Sequence, residues 1–142
     1  MPYQTLLVVL VWRSILSLDN LGAESSARIP LQLSRNCIVA SIQVDLTYDV
    51  LRRFRADLLE FLQQSGAQAV ILDLSGLEIL DLEEFEALRQ TMSMVSLMGA
   101  QSIIAGMRPG VVSALIELNA DVEGIMAAFN LDDAFSQIEA QK

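Results

Sequence analysis

A chain of 142 residues has room for one domain and hardly for two. Apolar residues at 53% against charged residues at 19% exclude disorder over most of its length. Eighteen acidic and nine basic residues leave a net charge of −9, a surface that repels phosphate backbones, so nucleic acid is set aside as a partner.

Histidine is absent, which removes the usual general base, the usual proton shuttle and the commonest metal ligand. The single cysteine, Cys37, can form neither an internal disulfide nor a thiolate cage, and a reduced, cytoplasmic setting fits this best. Catalysis by carboxylates alone, through Asp73, Asp81 or Glu83, would lack a nucleophile–base pair and an oxyanion donor set. The expectation is a protein that is not an enzyme and that carries neither cofactor nor metal.

The chain begins with an unbroken apolar run, Leu6-Leu7-Val8-Val9-Leu10-Val11-Trp12, followed by Arg13 and then Ile15, Leu16, Leu18 and Leu21. A spanning helix needs about 20 apolar residues, and Arg13 and Asp19 interrupt this stretch. A signal peptide would want a cationic start and a small-x-small cleavage site, and neither is clear. The run is expected to form an extra strand or helix that packs on the domain or on a neighbouring copy. Membrane contact, or an upstream start with no structural role, are the alternatives. Ala23 to Ala27 reads as a linker, so residues 1–27 form an apolar extension and residues 28–142 the domain.

From Arg28 onward the pattern is α/β. Ile29 to Leu33 and Cys37 to Gln43 are strand candidates on either side of the turn Ser34-Arg35-Asn36. Thr47 opens a helix in which Val50, Leu51, Phe54, Leu58, Phe61 and Leu62 recur at helical spacing, and Gly66 stands where a C′ residue belongs. Arg52, Arg53, Arg55, Asp57 and Glu60 are expected on its solvated face. Ala69 to Leu74 is a continuous apolar run suited to a central strand, ended by Ser75-Gly76. Ile103 to Ala105 is a second such strand, closed by Gly106. Pro109 sits in the first turn of a helix reaching Leu118. A weak strand around Ile125 to Phe129 precedes a last helix from Leu131 to about Ala140.

The most informative stretch lies at Asp81. This residue can cap the helix that follows, with Glu84 completing an Asp version of the capping box. Asp81, Glu83 and Glu84 then crowd three carboxylates into the first turn, where the macrodipole favours each by about 0.3–1 kcal/mol. Helix capping is a sufficient account of these acids. A recognition surface is the functional alternative, and a divalent-cation site is a third reading, weakened because Asp81 is spent on the cap. Phe85, Leu88, Met92 and Val95 make the core stripe of the same helix. Leu82 falls near the stripe's edge, and Met94 and Met98 fall almost opposite, as a second apolar patch or as residues buried under the loop before Gln101.

Taken in order, Asn36 to Gln43, Val70 to Gly76, Leu97 to Ala100, Ala105 to Pro109 and Leu115 to Leu118 resemble the STAS domain, the fold of bacterial anti-sigma-factor antagonists. The likeness is to the small RsbS-type members and the C-terminal half of RsbR-type members, both stressosome components. It implies a mixed β-sheet of four to five strands with helices packed mainly on one side. It also implies partner switching: such a protein holds a serine kinase until phosphorylation near the start of the second helix releases it.

In that family the residue after the aspartate equivalent to Asp81 is the Ser or Thr that accepts phosphate. Here it is Leu82, which has no hydroxyl. Ser75, at the end of a strand, and Ser113, after Pro109, are the remaining candidate acceptors, and ordinary turn and helix roles account for both. Either Leu82 leaves the surface permanently unmodified, so that the partner stays bound, or Glu83 imitates the modified state and weakens binding. The first is favoured, because a carboxylate carries one charge, has another shape and lies one position off. The resemblance thus points to Ser75, Gly76, Asp81, Leu82, Glu83, Glu84, Met94 and Met98 as partner-binding residues. RsbR-like paralogues and an RsbT-like kinase are the expected partners, in a homo- or hetero-oligomer, with no membrane. The alternative is a module binding a nucleotide or anion at the helix start after Pro109, with Arg108 nearby.

Overall fold

In a computed structural model, residues 28–141 are described. They run β1 (Leu31–Ser34), β2 (Cys37–Ser41), α1 (Tyr48–Ser65), β3 (Ala69–Asp73), α2 (Leu82–Leu97), β4 (Gln101–Ala105), α3 (Pro109–Glu117), β5 (Ala127–Ala128) and α4 (Leu131–Ala140). The apolar run and linker read in residues 1–27 lie outside the described residues.

One sheet contains all five strands in the order β1-β2-β3-β4-β5. β1 pairs antiparallel with β2, and the other pairs are parallel. The hairpin turn is Arg35-Asn36, both left-handed at φ 51 and 59. Two consecutive left-handed residues match the twist of the flanking strands, which is why so short a connection suffices. The parallel strands need crossovers, and α1, α2 and α3 supply them.

Alternation along the strands divides the core in two. Ile38, Ala40, Ile42, Val70, Leu72 and Ile104 face α1, α2 and α3, meeting Phe54, Leu58, Leu62, Phe85, Leu88, Met92, Val111 and Leu115. Cys37, Val39, Ile71, Ile103 and Ala105 face the other way, against Ala134, Phe135 and Ile138 of α4. Three helices therefore cover one face and the C-terminal helix alone covers the other. The continuous apolar run in β3 is explained by this double cover.

The helix punctuation follows the sequence. The Thr47 hydroxyl accepts from the Val50 N–H at 3.3 Å, and Gly66 closes α1 at φ 63 with its N–H on the Leu62 carbonyl. One expectation needs correcting: the charged side of α1 is not wholly solvated. Arg52 is exposed, but Arg53 is buried, and Arg55, Asp57 and Glu60 are half-buried. Arg55 crosses to α2, donating to the Thr91 hydroxyl at 2.8 Å and the Ala87 carbonyl at 2.6 Å.

Candidate functional site

Because β2, β3 and β4 run parallel, their C-terminal ends share one edge of the sheet, and the loops leading into α1, α2 and α3 gather there. Open α/β sheets commonly use this edge for recognition. The loop after β3 is held on three sides. The Leu74 N–H still bonds the Ala105 carbonyl at 2.9 Å, extending the β3–β4 ladder past the strand. The Ser75 N–H then turns onto the Asp73 carboxylate at 3.1 Å, an Asx turn that ends the strand. From the far side, Arg108 Nε donates to the Ser75 carbonyl at 2.9 Å, while its guanidinium meets Glu78 at 3.4 Å. That ion pair is mostly exposed, so it contributes little beyond about 1 kcal/mol.

Two glycines permit this close packing. A Cβ on Gly76 would stand 2.6 Å from the Gln43 Cγ, so the β3–α2 loop approaches the end of β2 only without a side chain. Gly106, at φ 75, lies where a Cβ would meet that of Ser75 at 3.1 Å, so the loops after β3 and β4 touch as well.

The start of α2 is locked by reciprocal capping. Asp81, extended at φ −85 and ψ 171, accepts from the Glu84 N–H at 2.7 Å, and its own N–H donates to the Glu84 carboxylate at 3.3 Å. Two of the helix's orphan donors are thereby satisfied. Burial, and next the side-chain contact with Asp81, push the Glu84 carboxyl above its ordinary value of 4.5, although the Asp81 backbone N–H pulls the other way.

Asp81 and Glu83 are exposed, Leu82 and Glu84 half-buried, while Leu80 just before them is buried. The helix start is thus a surface feature anchored by Leu80 and Phe85, presenting carboxylates around the partly open flank of Leu82. Ser75 and Gly76 are exposed on the same edge. Met94 and Met98 are not brought there. They lie at the far end of α2, some 12 to 16 residues on, or about 18–24 Å along the axis. Met94 is half-buried and Met98 is 42% exposed, so the loop before Gln101 covers neither fully. Ser113 is exposed on α3. Among the described residues no three carboxylates or cysteines converge into a metal-binding group, and no helix is long and apolar enough to cross a membrane.

Sequence periodicity did not disclose the exposed large side chains of this edge. Ile79 is 80% exposed, and Phe129 is 88% exposed beside a hollow of about 670 Å³ lined by Asp73, Arg108 and Asp132 among others. Both residues occupy loops, where no 2- or 3.6-residue pattern applies. Ile79 stands between Leu77 and Leu80, both buried, and Phe129 ends the weak strand read from Ile125, so the sequence alone did not set either apart from its apolar neighbours.

The profile of the STAS domain matches residues 28–138. Among curated proteins, the chain is 21% identical over 115 residues to the RsbT co-antagonist protein RsbRA of Bacillus subtilis (strain 168), a match taking in 81% of this chain and 42% of that one. The chain therefore spans about two fifths of the length of that relative. Among solved structures, RsbS of Moorella thermoacetica, in a serine-to-glutamate variant, shares the fold with a TM-score of 0.70 at 23% identity, covering 81% of this chain and 97% of that chain. A chain from the stressosome, a signal integration and transduction hub, gives a TM-score of 0.70 at 22% identity over 79% of this chain and 97% of its own. Fold and sequence profile agree: the chain belongs to the STAS domain family.

Proposed function

We propose that this chain is a non-enzymatic regulatory and scaffold protein of the RsbS type. In this reading it works in the cytoplasm, assembles with RsbR-like paralogues in a stressosome, and holds an RsbT-like serine kinase at the start of α2. The observation that carries the reading is the outward-facing, rigidly capped helix start, where Leu82 follows Asp81 on an exposed edge. A docking face works best when its backbone is fixed before the partner arrives, and the reciprocal Asp81–Glu84 bonds fix it.

A phosphate placed here would add about −1.5 to −2 charges to a turn that already holds three carboxylates. Such an addition is a strong release signal for a partner chosen by charge complementarity. Leu82 offers no oxygen to receive it, so the kinase stays bound and the protein acts as a constitutive scaffold or sink. The competing version, in which Glu83 imitates the released state, is less favoured, because Glu83 already sits among like charges and adds only one.

The experiment is to incubate the wild type and Leu82→Ser with an RsbT-type kinase and ATP, following phosphate incorporation and the complex together. Phosphorylation of Leu82→Ser with loss of its complex, beside an unmodified and intact wild-type complex, is the expected result. Failure of the wild type to bind either kinase or paralogue would sink the reading. An anion at the start of α3 is the second reading, supported by the hollow beside Arg108, but that guanidinium is already engaged by Ser75 and Glu78.

A further inference from the structure

We propose that the outer edge of β1 pairs antiparallel with β1 of a second copy of this chain, about a two-fold axis at Gln32, joining the two sheets into one. The proposal stands whether or not a kinase binds at α2.

The bonding pattern of the β1–β2 hairpin decides which groups of β1 face outward. The Ser41 N–H donates to the Pro30 carbonyl at 3.3 Å, and the left-handed pair Arg35-Asn36 closes the turn between Ser34 and Cys37. Opposed residues of an antiparallel ladder alternate between bonded and non-bonded pairs. Pro30, Gln32 and Ser34 therefore turn their backbone groups toward β2, while Leu31 and Leu33 direct theirs away from the sheet. Among the described residues, no donor or acceptor meets these outward N–H and C=O groups.

The far edge of the sheet is closed by contrast. There α4 folds back on β5: the Gln137 amide donates to the outward Ala127 carbonyl at 3.2 Å, and the Asp133 carboxylate accepts from the outward Phe129 N–H at 3.3 Å. Covering of this kind keeps an edge strand from pairing, and so do charged side chains on the strand itself. β1 reads Leu31-Gln32-Leu33-Ser34 and carries no charge.

The chemistry of the open edge selects a second copy as its occupant. A two-fold interface needs a surface that complements itself, and donors alternating with acceptors along an antiparallel edge do so. Only the register that sets Leu31 opposite Leu33 of the second copy uses the outward groups of both residues, each pair exchanging both of its bonds. Leu31 packs on the core beneath α1, α2 and α3, and Leu33, two residues on, points to the same face, where it is 48% exposed. In this register Leu33 lies against Leu31 of the second copy and loses that exposure. Charge permits the approach. Two chains of net charge −9 repel, yet no acidic residue occurs from Arg28 to Val44, so the edge strand and its hairpin bring no carboxylate to the contact.

The experiment is sedimentation equilibrium of the whole chain from micromolar to millimolar concentration. A monomer–dimer equilibrium is expected. Leu33→Pro removes an outward N–H without touching a β1–β2 bond, and edge strands accept proline. It should raise the dissociation constant about tenfold or more while far-UV circular dichroism stays unchanged. Leu33→Lys, which places a charge on the edge, should act in the same direction. Val112→Lys, exposed on α3, should leave the equilibrium unaltered. The register has its own readout: the two Gln32 residues meet as a non-bonded pair with Cα atoms about 4.5 Å apart, a separation that a disulfide spans. Oxidation should therefore link Gln32→Cys into a dimer and leave the wild type, with buried Cys37 alone, unlinked. Three results would overturn the proposal: a wild type that stays monomeric throughout, a dimer indifferent to both Leu33→Pro and Leu33→Lys, or a dimer in which Gln32→Cys does not cross-link.

Discussion

Arg55 on α1 and Thr91 on α2 share a hydrogen bond of 2.8 Å, although 36 residues separate them in sequence. Thr91 is almost fully buried and its hydroxyl in turn donates to the Ala87 carbonyl at 2.9 Å, the oxygen that also receives the Arg55 guanidinium. These bonds fix the position of α2 against α1, and hence of the helix start. Arg55→Ala should lower stability by about 1–3 kcal/mol, the range for charge-assisted bonds in a half-buried site. Arg55→Lys should not restore it, because one ammonium cannot reproduce the forked geometry. Urea unfolding checks this: a lower midpoint at unchanged slope is expected for both variants.

Gly76 and Gln43 make the second contact open to test. Gly76→Ala brings a Cβ to 2.6 Å from the Gln43 Cγ and 3.3 Å from its Cα, so the loop or the strand end must shift. A cost of about 1–3 kcal/mol follows for such overpacking. Gln43→Ala removes the nearest atom and should recover part of the loss. A double-mutant cycle therefore ought to show a favourable coupling between the two changes. Additive effects would mean that the strain lies elsewhere.

Glu84 links the helix start to pH. Its carboxyl is raised above 4.5, by burial first and then by Asp81, so the native state holds that proton more tightly than the unfolded chain does. The group's contribution is consequently full below its ordinary value and is lost as pH climbs through the raised one. Glu84→Gln keeps the capping box, since Gln serves at that position, and removes the titration. The stability of Glu84→Gln relative to wild type should rise as pH goes from moderately acidic to neutral. Denaturant titrations at a series of pH values read this directly, and a falling difference would contradict it.

Asp81 is the remaining half of the box. Asp81→Ala should cost about 0.5–2 kcal/mol, and Asp81→Asn distinctly less, because the amide oxygen can still accept from the Glu84 N–H. Thermal unfolding of the two variants compares the losses. Equal losses would show that charge, not the cap bond, matters at this position.

Much of this architecture was legible from local chemistry. Thr47, Gly66, Asp81 and Glu84 act where capping rules place them, because a cap is a contact within four residues. The apolar run of β3 marked a strand covered twice, although nothing in its residues said that α4 alone supplies the second cover. The face of α1 bearing Arg53 and Arg55 was misread, since periodicity tells which side of a helix meets its sheet and not what a neighbouring helix presents to the flank. Thr91, 36 residues away, is the missing information there. Leu82 and Met98 show the same boundary. Sixteen residues, or about 24 Å along the axis, separate them, so the start of α2 and its C-cap belong to different surfaces.

Direct titration of the wild-type chain with an RsbT-type kinase, with and without magnesium ATP, tests the account at its centre. The same affinity in both conditions, and no phosphate on the chain, is the outcome expected when Leu82 stands at the docking face. An affinity that collapses once ATP is added would contradict it.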